Sequence, residues 1–363
     1  MDIAEMGMIG LRVVSLIVGV IIVISTIVAA VKAFVMPRAA HVWLIQFAFT
    51  FTGTFFKLRM RRATSYKDRD RIMALYSPLT LLFVPFLMLS LVLFGYMFIY
   101  WSLGDVTMRS AFRLSGSALL TLGNAAIDGV AFEVIEFSEA MLGLILVALI
   151  IAYLPTMYNA FTRRESAVAL LEVRAGTPPS PWMLIMRSHR NNELDQLREL
   201  WSTWQVWFAE IEESHTSLPP LIYFRSPRPE LSWITAAGVV LDSAALMLST
   251  IDAPYEPRAP FCIRSGFLAL RQIASFMDID YDPSPAPYDP ISISRDEYNA
   301  VLIELAEAGV PLKEDRDKAW QDFAGWRVNY DTVLIAIAAR TLAPYAPWSS
   351  DRSLSPTAAR RKV

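Results

Sequence analysis

Apolar positions along the chain gather into blocks, and the lengths of the blocks separate them into classes. Val13 to Val31 is broken only by Ser15, Ser25 and Thr26 and is flanked by Arg12 and Lys32. Two further runs extend from Leu79 to Tyr100 and from Val134 to Leu154. Each is near the roughly 20 residues that span a hydrocarbon core at about 1.5 Å rise per residue. The first is too long for the core of a cleaved signal peptide, so it predicts an uncleaved membrane helix.

Between the second and third runs lies Ala111 to Asn124, Ala-Phe-Arg-Leu-Ser-Gly-Ser-Ala-Leu-Leu-Thr-Leu-Gly-Asn, which is too short to cross a bilayer. It predicts a re-entrant segment: a short helix to about Leu120, N-capped by Asp105 or Thr107, and then non-helical backbone. Such backbone survives at membrane depth only where protein buries it or a water-filled path satisfies it, so a span, re-entrant loop, span order implies a pore. The helix's C-terminal dipole end would favour a cation beyond it. Arg109 and Arg113 fall toward the outer rim, and Tyr96, Tyr100 and Trp101 read as an interfacial aromatic belt.

His41 to Phe56 is rich in Trp43, Phe47, Phe49, Phe51, Phe55 and Phe56 but is interrupted by Gln46, Thr50, Thr52 and Thr54. An interfacial helix is favoured over a short span. Lys57, Arg59, Arg61, Arg62, Lys67, Arg69 and Arg71 follow, and basic residues at this density stay cytoplasmic. The N-terminus is then outside, and the chain beyond Arg163-Arg164 is a cytoplasmic domain. In it, Thr177-Pro178-Pro179-Ser180-Pro181 reads as a linker and Asn191 to Ser214 as one amphipathic helix. Leu231 to Ile251 reads as a buried core helix because Asp242 and Ser243 interrupt it, and Tyr281 to Pro290 as a connector. Two more helices are expected at about Ser294 to Ala308 and Arg316 to Leu342.

The organisation is all-α and polytopic: an N-terminal transmembrane helix in residues 1–35, a cytoplasmic linker with the interfacial helix in 36–77, a pore module in 78–162, a cytoplasmic helical domain in 163–348 and a disordered tail in 349–363. A multi-pass plasma-membrane protein is expected, and composition agrees with an integral membrane protein: 54% of residues are hydrophobic, mean hydropathy is +0.38 and 19% are charged, against about 25% in soluble domains. A net charge of -2 gives no sign of a nucleic-acid partner, and one cysteine, Cys262, excludes an intramolecular disulfide framework.

The soluble part carries no catalytic signature, no Gly-x-Gly-x-x-Gly after a strand and no Walker loop, so neither an enzyme nor a cofactor is expected. A membrane enzyme remains the third-ranked class. His189 and His215, near Glu210, Glu212 and Glu213, read as solvated or capping rather than as metal ligands. Glu133, Glu136 and Glu139 lie on one side of the third membrane helix. Glu133 reads as a mouth residue; Glu139 either accepts hydrogen bonds from Ser115 or Ser117 or shares an aqueous vestibule with the other two. Gly143 and Pro155 are places where that helix can bend, or else a close packing contact and a helix end.

Thr121-Leu122-Gly123 matches the first three positions of a Thr-x-Gly-Tyr-Gly filter strand, whose carbonyls replace an ion's hydration shell. Around it stand Asp68-Arg69-Asp70-Arg71 before Leu75-Tyr76-Ser77-Pro78-Leu79, Leu114-Ser115-Gly116, Glu139-Ala140 with Gly143, and Tyr153-Leu154-Pro155 running into Phe161-Thr162-Arg163-Arg164-Glu165. Glu213-Ser214-His215 and Tyr223-Phe224-Arg225-Ser226 follow. With these, the segment from about Arg69 to Ser180 resembles the two-helix pore module of the tetrameric potassium-channel superfamily, in particular a bacterial group of ion-channel-like proteins. The resemblance implies a homotetramer in the lipid bilayer that conducts a monovalent cation, K+ or Na+. It implies an ion pathway at Thr121, Leu122, Gly123, Asn124 and Ala125, support from Ser115, Ser117 and Glu139, and an outer mouth at Asp128 and Glu133. The gate would lie at Gly143, Tyr153, Leu154 and Pro155, biased by a cytoplasmic ligand of unknown kind.

The chain departs from the family where Tyr-Gly-Asp would continue the filter, placing Asn124-Ala125-Ala126-Ile127-Asp128 instead. Alanine meets the Cβ penalty that glycine avoids, and the bracing aromatic is lost. Weakened potassium selectivity is the expectation. The alternative is a channel-like sensor or scaffold that no longer conducts.

Overall fold

The computed structural model describes residues 3–36, 42–61, 63, 65–104, 106–125 and 129–352. Among them the chain is all-helical, with no strand beyond an isolated bridge between Ile251 and Leu312. It divides into two compact units, Met1–Arg62 with Leu75–Tyr158, and Ala63–Ala74 with Asn159–Val363. Helices α1 (Ile3–Phe34), α2 (Trp43–Met60), α3 (Tyr66–Ala74), α4 (Tyr76–Leu103), α5 (Met108–Leu119) and α6 (Val130–Ala175) come first. Then follow α7 (Pro181–Arg190), α8 (Leu197–Ser217), α9 (Trp233–Ser249), α10 (Arg258–Phe276), α11 (Arg295–Glu307), α12 (Arg316–Arg327) and α13 (Asp331–Arg340).

Among the described residues, three helical stretches are long and apolar enough to cross a membrane: Met6–Phe34, Tyr66–Leu103 and Val130–Ala175. Small residues set the α1 and α4 contact. A Cβ at Gly19 would stand 2.5 Å from the Gly95 carbonyl oxygen, and one at Gly95 would stand 2.7 Å from Val23 Cγ2. Close backbone approach of this kind supplies dispersion where lipid offers no hydrophobic drive between helices. Ser15 Oγ adds a hydrogen bond to the Phe98 carbonyl at 3.0 Å.

Helix α2 buries Leu44, Ala48 and Phe56. Tyr76 donates to the Phe49 carbonyl at 3.0 Å, and Thr52 meets Thr80 at 2.7 Å. Trp43, Phe47, Phe51 and Phe55, four residues apart, form an exposed aromatic row. The aromatic belt expected at the end of α4 is a different arrangement: Tyr96 and Tyr100 are buried. Tyr96 meets Ser138 Oγ at 3.0 Å, and Tyr100 stacks on Phe132 with centroids 6.3 Å apart, so both face protein.

Helix α6 does not end at Pro155 or near Phe161 but runs to Ala175. Proline deletes one N–H from the ladder, and the turns on either side keep theirs. Its later part belongs to the second unit, where Arg164 is a buried hub. It pairs with Glu165 at 2.7 Å and donates to the carbonyls of Leu221 (2.7 Å) and Phe224 (2.8 Å).

At the centre of the second unit lies α9, buried at every position but Leu248. Against it pack α7, α8, α10, α12 and α13. Asp242, in the middle of α9, pairs with the buried Arg327 of α12 and accepts from the Tyr330 hydroxyl at 2.8 Å. Arg327 Nε reaches Asp331 at 2.8 Å, and its Nη2 donates to the Trp348 carbonyl. Burial works to lower the Arg327 pKa, yet the Asp242 and Asp331 carboxylates outweigh it and hold the guanidinium above its ordinary range. The helix expected from Arg316 to Leu342 is instead two, α12 and α13, broken around Val328–Tyr330 beside this network.

Ser349 and Ser350, expected in a disordered tail, are buried because Trp348 packs on Phe323 and Ser350 bonds the Pro344 carbonyl; residues 353–363 lie outside the described residues. His215 is fully buried rather than solvated. Its Nε2 is 3.2 Å from Arg164 Nη1, and its ring packs 4.8 Å from that of Trp233.

Arg327→Met leaves two buried carboxylates uncompensated and should cost about 3–5 kcal/mol, read as a large fall in the melting temperature of the detergent-solubilised chain. An unchanged melting temperature would mean that the network is not holding α9 to α12. His215 gives a pH dependence. Burial first, and Arg164 second, depress its pKa well below the ordinary 6.5. Between the two values the unfolded chain binds more protons, so stability is full above about pH 6.5 and falls below it by up to about 1.4 kcal/mol per pH unit. His215→Asn should flatten that slope in melting curves recorded across the window; an unaltered slope would assign it to other groups.

Candidate functional site

Helix α5 begins as its sequence dictates: Thr107 is extended, and its hydroxyl accepts the Ser110 N–H at 3.2 Å. It ends in a left-handed turn. Thr121 N–H reaches the Ala118 carbonyl (3.0 Å) and Leu122 N–H the Ser117 carbonyl (2.8 Å), with Thr121 at φ 51°. This pair of bonds is a Schellman termination with threonine in the place that glycine usually takes. A β-branched residue is disfavoured there, so the turn is strained.

Beyond it the chain is non-helical through Ala125. Gly123 is again left-handed, at φ 62°, while Leu122, Asn124 and Ala125 are not among the positive-φ residues. Ser117 Oγ accepts the N–H of Asn124 at 3.1 Å and that of Ala125 at 3.3 Å. In a trans peptide the carbonyl points opposite to the N–H. The carbonyls of Gly123 and Asn124 are therefore turned away from α5, and residues Thr121 to Asn124 are exposed.

Behind this segment sits the buried Glu139 of α6. Ser115 Oγ lies 2.5 Å from Glu139 Oε1 and 2.8 Å from the Leu93 carbonyl, tying α5 to α6 and α4. The carboxyl also faces Tyr100, but Glu139 Oε2 and the Tyr100 hydroxyl are both buried without a hydrogen bond of good geometry. Glu133 is exposed, Glu136 half-buried and Glu139 fully buried, so the three do not share one vestibule within a chain.

Gly143 is where α6 meets the end of α5: a Cβ there would stand 2.8 Å from the Leu119 carbonyl oxygen. It makes a close packing contact there. Tyr153 packs edge-on against Phe34 at 5.0 Å, whereas Leu154, Pro155 and Tyr158 are exposed. Asp128 lies outside the described residues. Arg109 and Arg113 are exposed on the first turns of α5. Sequence reasoning missed Tyr100, which it assigned to the headgroup region; its spacing of four from Tyr96 was the available signal. Among the described residues no three His, Cys, Asp or Glu side chains converge on a metal position.

No family model, curated protein or solved structure matches the chain.

Removing the Ser117 hydroxyl should free two amides. In Ser117→Ala, hydrogen exchange at Asn124 and Ala125 should accelerate, while exchange within α5 and α6 stays slow. Ser117→Thr should retain the protection. Equal exchange in Ser117→Ala and the parent chain would show that these amides are held by something else.

Proposed function

We propose that the protein is a monovalent-cation channel in which four copies surround a shared axis. The observation that carries this reading is the pair of carbonyls, at Gly123 and Asn124, turned away from α5 in an exposed non-helical segment between two membrane-length helices. Carbonyls in that position need hydrated ions or water, since lipid offers them nothing. One such loop per chain closes into a ring only by symmetric assembly. The apolar stretch of α6 is only 17% buried within one chain, against 33% for those of the other two long helices, which leaves surface for neighbouring copies.

In this reading Thr121, Leu122, Gly123 and Asn124 line the narrow path for K+ or Na+. Ser115, Ser117 and Glu139 hold them from behind, and Glu133 and Asp128 add negative charge at the outer mouth. Leu154 and Tyr158, one turn apart and exposed, are the better gate candidates; Tyr153 is engaged by α1. The basic cluster around Lys57 to Arg71 favours a plasma-membrane orientation with the C-terminal unit in the cytoplasm.

A second reading, a channel-like sensor or scaffold without conduction, draws on Ala125, where a glycine-like conformation would be needed to continue the carbonyl series and is not adopted. Reconstitution in planar bilayers under opposed potassium and sodium gradients separates the two. The expected result is conduction of both ions with weak preference, and a reversal-potential shift toward potassium in the double variant Asn124→Tyr, Ala125→Gly. A strongly potassium-selective parent protein would overturn the selectivity argument; a silent one would favour the scaffold.

A further inference from the structure

The C-terminal unit contains a cavity of about 10 Å³, lined by Arg225, Ser226, Ser232, Trp233 and Thr341 among others. Three features of its lining point the same way. Ser232 is the extended residue preceding α9, but its hydroxyl takes no bond from the first turn. The first N–H groups of a helix have no intrahelical acceptor, so this end of a long helix carries donors and the positive end of its dipole. Ser226 is 8% exposed, and its hydroxyl has no hydrogen-bond partner. Arg225, with its side chain 10% exposed, is held through Nη1 by the Leu342 carbonyl (2.9 Å), the Tyr66 hydroxyl (3.3 Å) and Asp70 (3.2 Å), while its Nη2 is buried without a partner.

No carboxylate lines the cavity, and two of its carbonyls are engaged. The Ile222 carbonyl takes Trp233 Nε1 at 3.3 Å, and the Phe224 carbonyl takes Arg164. Thr341 donates to Ile337. An anion uses donors alone, and Arg225 Nη2, the two serine hydroxyls and the first amides of α9 are donors. The enclosed space is about that of one small particle, which suits a monatomic anion better than phosphate or an organic acid.

We propose that this cavity is a binding site for a monatomic anion of chloride size, held by Arg225 Nη2, Ser226 and the N-terminus of α9. Occupancy there bears on α3. Asp70 and Tyr66 dock α3 onto the same guanidinium, and α3 is joined to α4 through Leu75 alone. An anion on Nη2 competes with Asp70 for the Arg225 charge, so binding and α3 docking are linked. Any effect on conduction follows only if the channel reading above holds; the site itself does not depend on it.

The test uses the full chain in detergent at constant ionic strength, titrated with sodium chloride or sodium bromide against sodium gluconate, with thermal stability as the readout. Chloride and bromide should give saturable stabilisation that gluconate does not. Ser226→Ala, a small change that leaves the Arg225 contacts in place, should weaken the apparent affinity several-fold, and Arg225→Lys by roughly tenfold or more. Arg228→Lys, at an exposed arginine paired with Glu172, should leave it unchanged. Bromide anomalous diffraction should place an ion between Arg225 and Ser226. A water at that position under saturating bromide, or an equal halide response in Ser226→Ala, would overturn the proposal. A silent channel that still binds bromide here would sink the conduction reading and leave the site standing.

Discussion

The contacts that α5 makes with α4 and α6 bear on the backbone between Thr121 and Ala125. A membrane helix satisfies its own N–H and C=O groups; these residues leave the helix, and in the proposed membrane setting lipid would give them nothing. Ser117 resolves the amide side: its carbonyl takes Leu122, and its hydroxyl takes Asn124 and Ala125. That leaves the carbonyl side open and oriented. The segment can then be only as well placed as α5 itself, which explains the investment around it. Ser115 reaches both Leu93 on α4 and Glu139 on α6, and Gly143 lets the α6 backbone close on the Leu119 carbonyl.

The second unit uses buried charge to a similar end. Arg327 joins α12 to α9, to α13 and to the chain at Trp348, so that one guanidinium fixes four segments. Arg164 does the same for α6 and the turn from Leu221 to Phe224. Replacing such pairs with apolar residues often costs little, whereas removing one partner costs a great deal. Their value lies in specifying which helices meet, a distinction that an apolar core leaves loose.

Much of this architecture was legible in the sequence, because long apolar runs and a Thr107 cap are strong local signals. The termination of α5 and the core position of α9 were also readable, from Thr121-Leu122-Gly123 and from Asp242. What escaped depended on long-range partners. Ser180-Pro181 reads equally as linker and as a cap with proline in the first turn, and only packing against α9 shows that α7 follows. Tyr100 has the composition of a headgroup anchor; Phe132 and Glu139, more than thirty positions away, turn it inward. The break between α12 and α13 lies where Arg327 pairs with both Asp242 and Asp331, and the Asp242 contact joins helices that share no local pattern.

The length of the oriented carbonyl series bears on what the proposed pore could select. Left-handed backbone at every second residue, Thr121 and Gly123, departs from a regular strand, in which successive peptide planes face opposite ways. Continuing that rhythm would demand the same conformation at residue 125, where an alanine Cβ opposes it. Its amide is instead held on Ser117 without a left-handed turn, so the rhythm stops after two steps. Selection among monovalent cations relies on several coordinating layers of suitable number and field strength. A shorter series, ending in an exposed asparagine rather than a braced tyrosine, leaves an ion partly hydrated, and a partly hydrated ion is distinguished mainly by its charge.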